Sequence, residues 1–178
     1  MFETFRQDVQ RWVYPEQIAP ASAVTLGRTL YLLYRHKPLR AMAWFRLGSF
    51  CSQRRIRLVP TLVLWIISTF YGMEIAVGQD YGGGLYIPHT VGMVLFPRRM
   101  GQNCSIIASV TIGLRGEYAF PVLGDNVFIG AGARVLGGIT VGDRAVIGAN
   151  AVVIADVPAG ATVVGVPARI IQLEPAAQ

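Results

Sequence analysis

Between residues 123 and 153 an aliphatic side chain returns at every sixth position: Leu123, Ile129, Val135, Val141, Ile147 and Val153. Four residues after each stands another small or aliphatic one: Val127, Ala133, Ile139, Ala145, Ala151 and Val157. Gly124, Gly130, Gly142 and Gly148 directly follow a leading residue, and an earlier frame runs Val94, Met100, Ile106 and Ile112. A period of six matches neither the 3.6-residue helix nor strand alternation continued through a sheet. It suits a chain that turns a corner every six residues, three sides to a coil, with the leading aliphatic inward and small residues where the backbone bends. The competing reading is a β-sandwich with evenly spaced strands, which six consecutive hits disfavour.

Ile112 and Leu123 are eleven residues apart, so about five residues loop out within "GLRGEYAFPV" without ending the coil. Residues 74 to 166 then make about five coils of eighteen. The chain is expected to divide into an N-terminal helical segment (1–71), a β-helix (72–166) and a tail (167–178). Stability should come from stacking the inner aliphatics of successive coils.

The net charge of +6 is uneven. Residues 1–71 carry ten Arg and Lys against three acids, whereas residues 72–178 carry six Arg against seven acids. No DNA- or RNA-binding motif accompanies the basic segment, so nucleic acid is not the expected partner; a membrane surface or an acidic protein patch fits the charge. No continuous apolar core of a signal peptide opens the chain. The stretch "LVPTLVLWIISTFYGM" offers sixteen uncharged residues between Arg57 and Glu74, short of the ~20 that span a bilayer. It is expected to form a helix buried against the protein or a subunit, the alternative being a helix lying on a membrane with "RRIR" at the headgroups. Cys51 and Cys104 form neither a disulfide framework nor, with two histidines, a metal-ligand pattern, which points to a reducing, cytoplasmic setting without a metal.

Taken with "AWFRLGSF", "YGMEI", "IPHTVG", "ASVTIG" and the closing "VVGVPARII", the repeat resembles the hexapeptide-repeat acyltransferases over roughly residues 40 to 172. It is most similar to the serine acetyltransferase-like branch and, within that, to colanic-acid-type exopolysaccharide O-acetyltransferases. The resemblance implies a left-handed parallel β-helix, a homotrimer that in some members grows into larger assemblies, and acetyl-CoA lying in the groove between neighbouring subunits. The hand comes from the family, since general connection rules favour the opposite one.

On this resemblance His89 aligns with the catalytic general base, which removes the acceptor hydroxyl's proton as it attacks the thioester; imidazole is suited to that task near neutral pH. Glu74, fifteen residues earlier, stands where the serine enzymes have the aspartate that orients the imidazole. Gly113 and Leu114 are expected near the thioester, with backbone N–H groups available to the oxyanion. Ala131 and Ala149 would leave a groove for pantetheine, and Arg169 would meet a CoA phosphate.

The acceptor side departs from the serine enzymes. They hold the amino acid through an aspartate just before the histidine and an Arg-His pair in the loop, where this chain has Pro88, Ala119 and Phe120. Tyr118 and Phe120 suit stacking on a sugar ring, and Arg115 suits a phosphate on a nucleotide- or lipid-linked sugar. The expected function is therefore O-acetylation of a sugar hydroxyl in exopolysaccharide biosynthesis at the cytoplasmic face of the membrane, with residues 1–71 in peripheral contact. The alternative is a serine O-acetyltransferase of cysteine biosynthesis, without the terminal isoleucine that docks such enzymes onto cysteine synthase. A non-catalytic β-helical scaffold is a third reading, in which His89→Ala changes nothing.

Overall fold

The computed structural model describes residues 2–14 and 17–173. The end of the expected tail, including Gln178, lies outside the described residues. Four helices precede the coils: α1 (Phe2–Val13), α2 (Leu26–Arg35), α3 (Lys37–Gln53) and α4 (Leu58–Tyr71). Thr25 caps α2 by accepting from the Arg28 N–H, satisfying one of the orphan donors of the first turn. α4 stops at Gly72, whose φ of 63° is a left-handed conformation that glycine adopts without strain.

The coils follow in order. The first holds β1 (Met73–Ile75) and β2 (Asp80–Tyr81); the second β3 (Met93–Leu95), β4 (Arg99–Met100) and β5 (Ser105–Ile106); the third β6 (Thr111–Gly113), β7 (Val122–Leu123) and β8 (Phe128–Ile129). The fourth holds β9 (Arg134–Leu136), β10 (Thr140–Val141) and β11 (Val146–Ile147), and the fifth β12 (Val152–Val153) and β13 (Ala161–Val164). A final strand, β14 (Arg169–Leu173), returns antiparallel beside β13. The first face is β1-β3-β6-β9-β12, the second β2-β4-β7-β10, and the third β5-β8-β11-β13-β14. Apart from β14 every pairing is parallel, so the chain is a parallel β-helix of about five turns.

The six-residue repeat sorts the side chains as expected. Leu123, Ile129, Val135, Val141 and Ile147 are wholly buried, Val153 nearly so, and each stacks on its counterpart in the next coil. Each buried aliphatic contributes about 1.5–3 kcal/mol. Val94 is a correction: Met93 and Leu95 point inward instead, and Val94 shares the outer face with Glu74 and Thr111.

The glycines that follow the leading residues serve close approach rather than bending. A Cβ on Gly130 would stand 2.6 Å from the Ala149 nitrogen in the next coil. The bends are made by residues at positive φ, among them Asn103, Asn126, Asn150 and Gly132.

The helices are fastened to the first coil by a buried ion pair. Arg46 of α3 donates to both oxygens of Asp8 on α1, at 2.8 and 2.9 Å, and to the carbonyls of Tyr81 and Gly82. Asp8 also accepts from the Leu85 N–H at 2.9 Å. The expectation of a buried helix at 58–73 holds on one side only. Val63, Ile67 and Tyr71 are buried in α4, whereas Leu58, Leu62, Trp65 and Phe70 are more than half exposed. Among the described residues no helix is long and apolar enough to cross a membrane.

Candidate active site

His89 is placed by a local break in the repeat. Val94 follows Tyr86 by eight positions where the first coil passes into the second, but their partners Ser105 and Thr111, at the next such corner, are only six positions apart. The corner between the third and first faces therefore holds two extra residues at 87–92. Its base is anchored, with the Gly92 N–H donating to the Gly72 carbonyl at 2.9 Å and Ile87 and Thr90 buried. The surplus bulges outward and carries His89 into solvent. The same shift explains why Val94 faces outward.

Ala131 and Ala149 occupy this same edge in higher coils: the Asn150 N–H donates to the Ala131 carbonyl, and the Gly132 N–H to that of Ala108. Ala131 is half-buried and Ala149 exposed, so small side chains stand on this edge in the coils above His89. Arg169 lies exposed at the far end of the edge, opposite Val164. From the His89 corner to that end is four coils, about 19 Å at a strand spacing near 4.8 Å, comparable with an extended pantetheine-pyrophosphate chain.

The remaining expected residues lie elsewhere. Gly113 ends β6 on the opposite edge of the first face, and a Cβ there would meet nothing within 4 Å. The loop that follows carries the exposed Leu114, Arg115 and Tyr118 and the half-buried Phe120. It folds against the fourth coil, where Ala119 packs on Gly138 and Arg115 on Gly137. A first-face strand of three residues, about 10 Å long, separates the two edges of one chain. Glu74 projects from that face at the first coil, beside Trp65, Leu64 and Phe96. Among the described residues no hydrogen bond or ion pair joins it to His89. His36, the second histidine, belongs to the helical segment: it packs on Trp12 with ring centroids 4.8 Å apart, and burial pushes its pKa down.

Sequence reasoning missed Arg134. It is the only cation among the outward residues of the first-face strands, and its Nη1 donates to the carbonyls of Ser109 and Ala133 on the His89 edge. The available signal was its place just before the inward Val135, which turns it outward.

Residues 120–155 match the family model "Bacterial transferase hexapeptide (six repeats)". The chain is 36% identical over 146 residues to a serine acetyltransferase of Synechococcus elongatus, covering 80% of this chain and 60% of the relative. It is 37% identical over 144 residues to a serine acetyltransferase of Helicobacter pylori strain J99, covering 79% of this chain and 84% of the relative. Its fold matches the crystal structure of Neisseria gonorrhoeae serine acetyltransferase in complex with serine, with a TM-score of 0.80 at 30% identity over 96% of this chain and 69% of that one. A serine acetyltransferase in complex with CoA matches with a TM-score of 0.79 at 32% identity, over 95% and 68% of the two chains.

These likenesses overturn the expected sugar acceptor and the role in exopolysaccharide biosynthesis, and they do not support the narrower likeness to colanic-acid-type enzymes. Tyr118 and Phe120 meet each other edge to face at 5.2 Å, and Tyr118 is 89% exposed.

Proposed function

From the premise that the chain belongs to the serine acetyltransferase family of hexapeptide-repeat acyltransferases, we propose that it transfers acetyl from acetyl-CoA to the hydroxyl of serine. The observation that carries this reading is the His89 corner: a two-residue expansion presents an imidazole to solvent on the edge that carries Ala131 and Ala149 in higher coils. The chain spans 60% of the Synechococcus relative and 84% of the Helicobacter one, so activity, substrates and assembly are inferred as one proposal.

His89 takes the proton from the serine hydroxyl as that oxygen attacks the thioester carbonyl. The tetrahedral oxyanion collapses, the carbon–sulfur bond breaks, and the imidazolium returns the proton to the leaving CoA thiolate. General-base assistance of this kind contributes about 10² to 10⁴-fold. Glu74 orients the imidazole once the subunits are assembled. Pantetheine follows Ala131 and Ala149 toward Arg169.

The separation of the two edges supports a trimer. Gly113, Leu114 and the 114–121 loop lie across the first face from their own His89, so a neighbouring chain must bring its loop edge to this chain's histidine edge. The outer face of α4 is covered in the same assembly. The test is acetyl-CoA consumption with free serine: serine-dependent release of CoA thiol supports the proposal, and its absence at saturating acetyl-CoA and serine overturns it.

A further inference from the structure

A serine acceptor brings a carboxylate to the site, and this chain has Ala119 and Phe120 where the family carries an Arg-His pair. A buried, unpaired carboxylate is costly, so another cation is needed close to the general base. Serine is small: its hydroxyl and its carboxylate are carried on adjacent carbons, so that cation must lie within about one coil spacing, ~4.8 Å, of the level of His89.

Arg134 meets this condition. Although it belongs to the fourth coil, its guanidinium reaches back to the corner that opens the third, where Nη1 donates to the Ser109 carbonyl. Ser109 in turn lies against Gly92: a Cβ on Gly92 would stand 3.4 Å from the Ser109 hydroxyl. Gly92 closes the expanded corner that holds His89, so the guanidinium sits one coil above the imidazole on the same edge. Two carbonyls hold it in place and no carboxylate neutralises it among the described residues. Nη2 and Nε make no hydrogen bond there, and they remain free to donate. Arg115, the other candidate, would reach a histidine only from a neighbouring chain, and among the described residues no hydrogen bond holds its guanidinium in place.

We propose that Arg134 is the anchor for the acceptor's carboxylate and so the residue that makes the site select a hydroxy amino acid over a simple amino alcohol. This rests on the serine reading above. A CoA phosphate is the other anion that a guanidinium on this edge would attract, but the phosphates belong toward Arg169, several coils from the thioester.

The test compares the full-length wild type with Arg134→Gln and Arg134→Lys, measuring KM for serine, KM for acetyl-CoA, and turnover of ethanolamine, which is serine without its carboxylate. Loss of a charged hydrogen bond should raise KM for serine about 10- to 100-fold in Arg134→Gln. The preference for serine over ethanolamine should shrink by the same factor, Arg134→Lys should recover part of it, and KM for acetyl-CoA should stay unchanged. A rise in KM for acetyl-CoA alone would assign Arg134 to the cofactor, and an effect seen instead in Arg115→Gln would move the anchor to the loop; either overturns the proposal while the serine reading stands. A wild type with no serine-dependent turnover removes both. Should Arg134→Gln fail to fold, the serine-to-ethanolamine ratio of the wild type against that of Arg134→Lys decides: equal ratios overturn the proposal.

Discussion

Asp8 and Arg46 form a two-pronged ion pair, with no exposure on Asp8, that joins the first and third helices to the carbonyls of Tyr81 and Gly82. Segment 81–85 runs directly into the corner that bears His89. Removing one partner leaves a buried charge without its counter-ion, which costs about 3–5 kcal/mol. Asp8→Ala should lower the stability measured in urea by that amount, while Arg6→Ala, whose pair with Glu3 is exposed, should change it little.

The stacked core yields a sharper expectation. Ile129 is wholly buried between Ile106 and Ile147, so Ile129→Asp puts an unpaired carboxylate into the column and should prevent folding, seen as loss of the β signal in circular dichroism. Gly130→Ala adds one methyl against the Ala149 backbone and should destabilise by about 1–3 kcal/mol. Gly113→Ala, with open space around it, should leave the melting temperature nearly unaltered.

The repeat made the coil legible in the sequence because a six-residue period has one simple structural solution. Where the period breaks, spacing alone misleads. A six-residue count carried back from the later coils turns Val94 inward, because it cannot see the surplus at 87–92 that turns Met93 and Leu95 inward instead. The sequence does not show that Gly113 and Leu114 lie on one edge of the first face and Ala131 and Ala149 on the other, because the surplus at 87–92 and the five-residue loop both hide the register. His89 was legible as a lone imidazole among glycines and aliphatics. Arg134 was not, because an outward arginine in a strand looks like any solvated cation until its carbonyl partners are seen.

Cys104 makes stability depend on alkaline pH. Its thiol donates to the Gly124 carbonyl, and burial pushes its pKa from an ordinary value near 9 up to about 11. The folded state thus holds the proton more tightly than the unfolded chain. The contribution is complete below about pH 9 and is lost as pH rises toward 11, amounting to roughly 2–3 kcal/mol. Burial raises the Tyr81 phenol as well, in the same direction. Urea titrations at pH 8 and pH 10.5 should show this loss, and Cys104→Ala should reduce the difference to the smaller part that Tyr81 contributes.

His89→Ala should reduce turnover by about 10² to 10⁴-fold while leaving CoA affinity and melting temperature close to wild type. The exposed imidazole makes no hydrogen bond among the described residues, so its loss removes chemistry and not packing. Glu74→Gln should lower kcat with little effect on either KM, as fits a residue that acts through the imidazole. Unchanged kcat would remove Glu74 from the mechanism, and unchanged turnover in His89→Ala would leave the non-catalytic scaffold as the better reading.

The outer face of α4 supplies the test of assembly. Leu58, Leu62 and Trp65 line an apolar hollow on a helix that has no charged residue, and Arg54, Arg55 and Arg57 stand exposed just before it. A neighbouring chain that covers this face buries Trp65, whereas an anionic bilayer would take Trp65 into the interface and the three arginines at the headgroups. Sedimentation of the wild type should show a trimer or a larger multiple, and Trp65→Glu should shift it toward smaller species. If the wild type instead sediments unchanged beside Trp65→Glu, and binds phosphatidylserine vesicles in a salt-sensitive way that Trp65→Glu abolishes, the membrane is the partner and the α4 part of the assembly proposal is wrong.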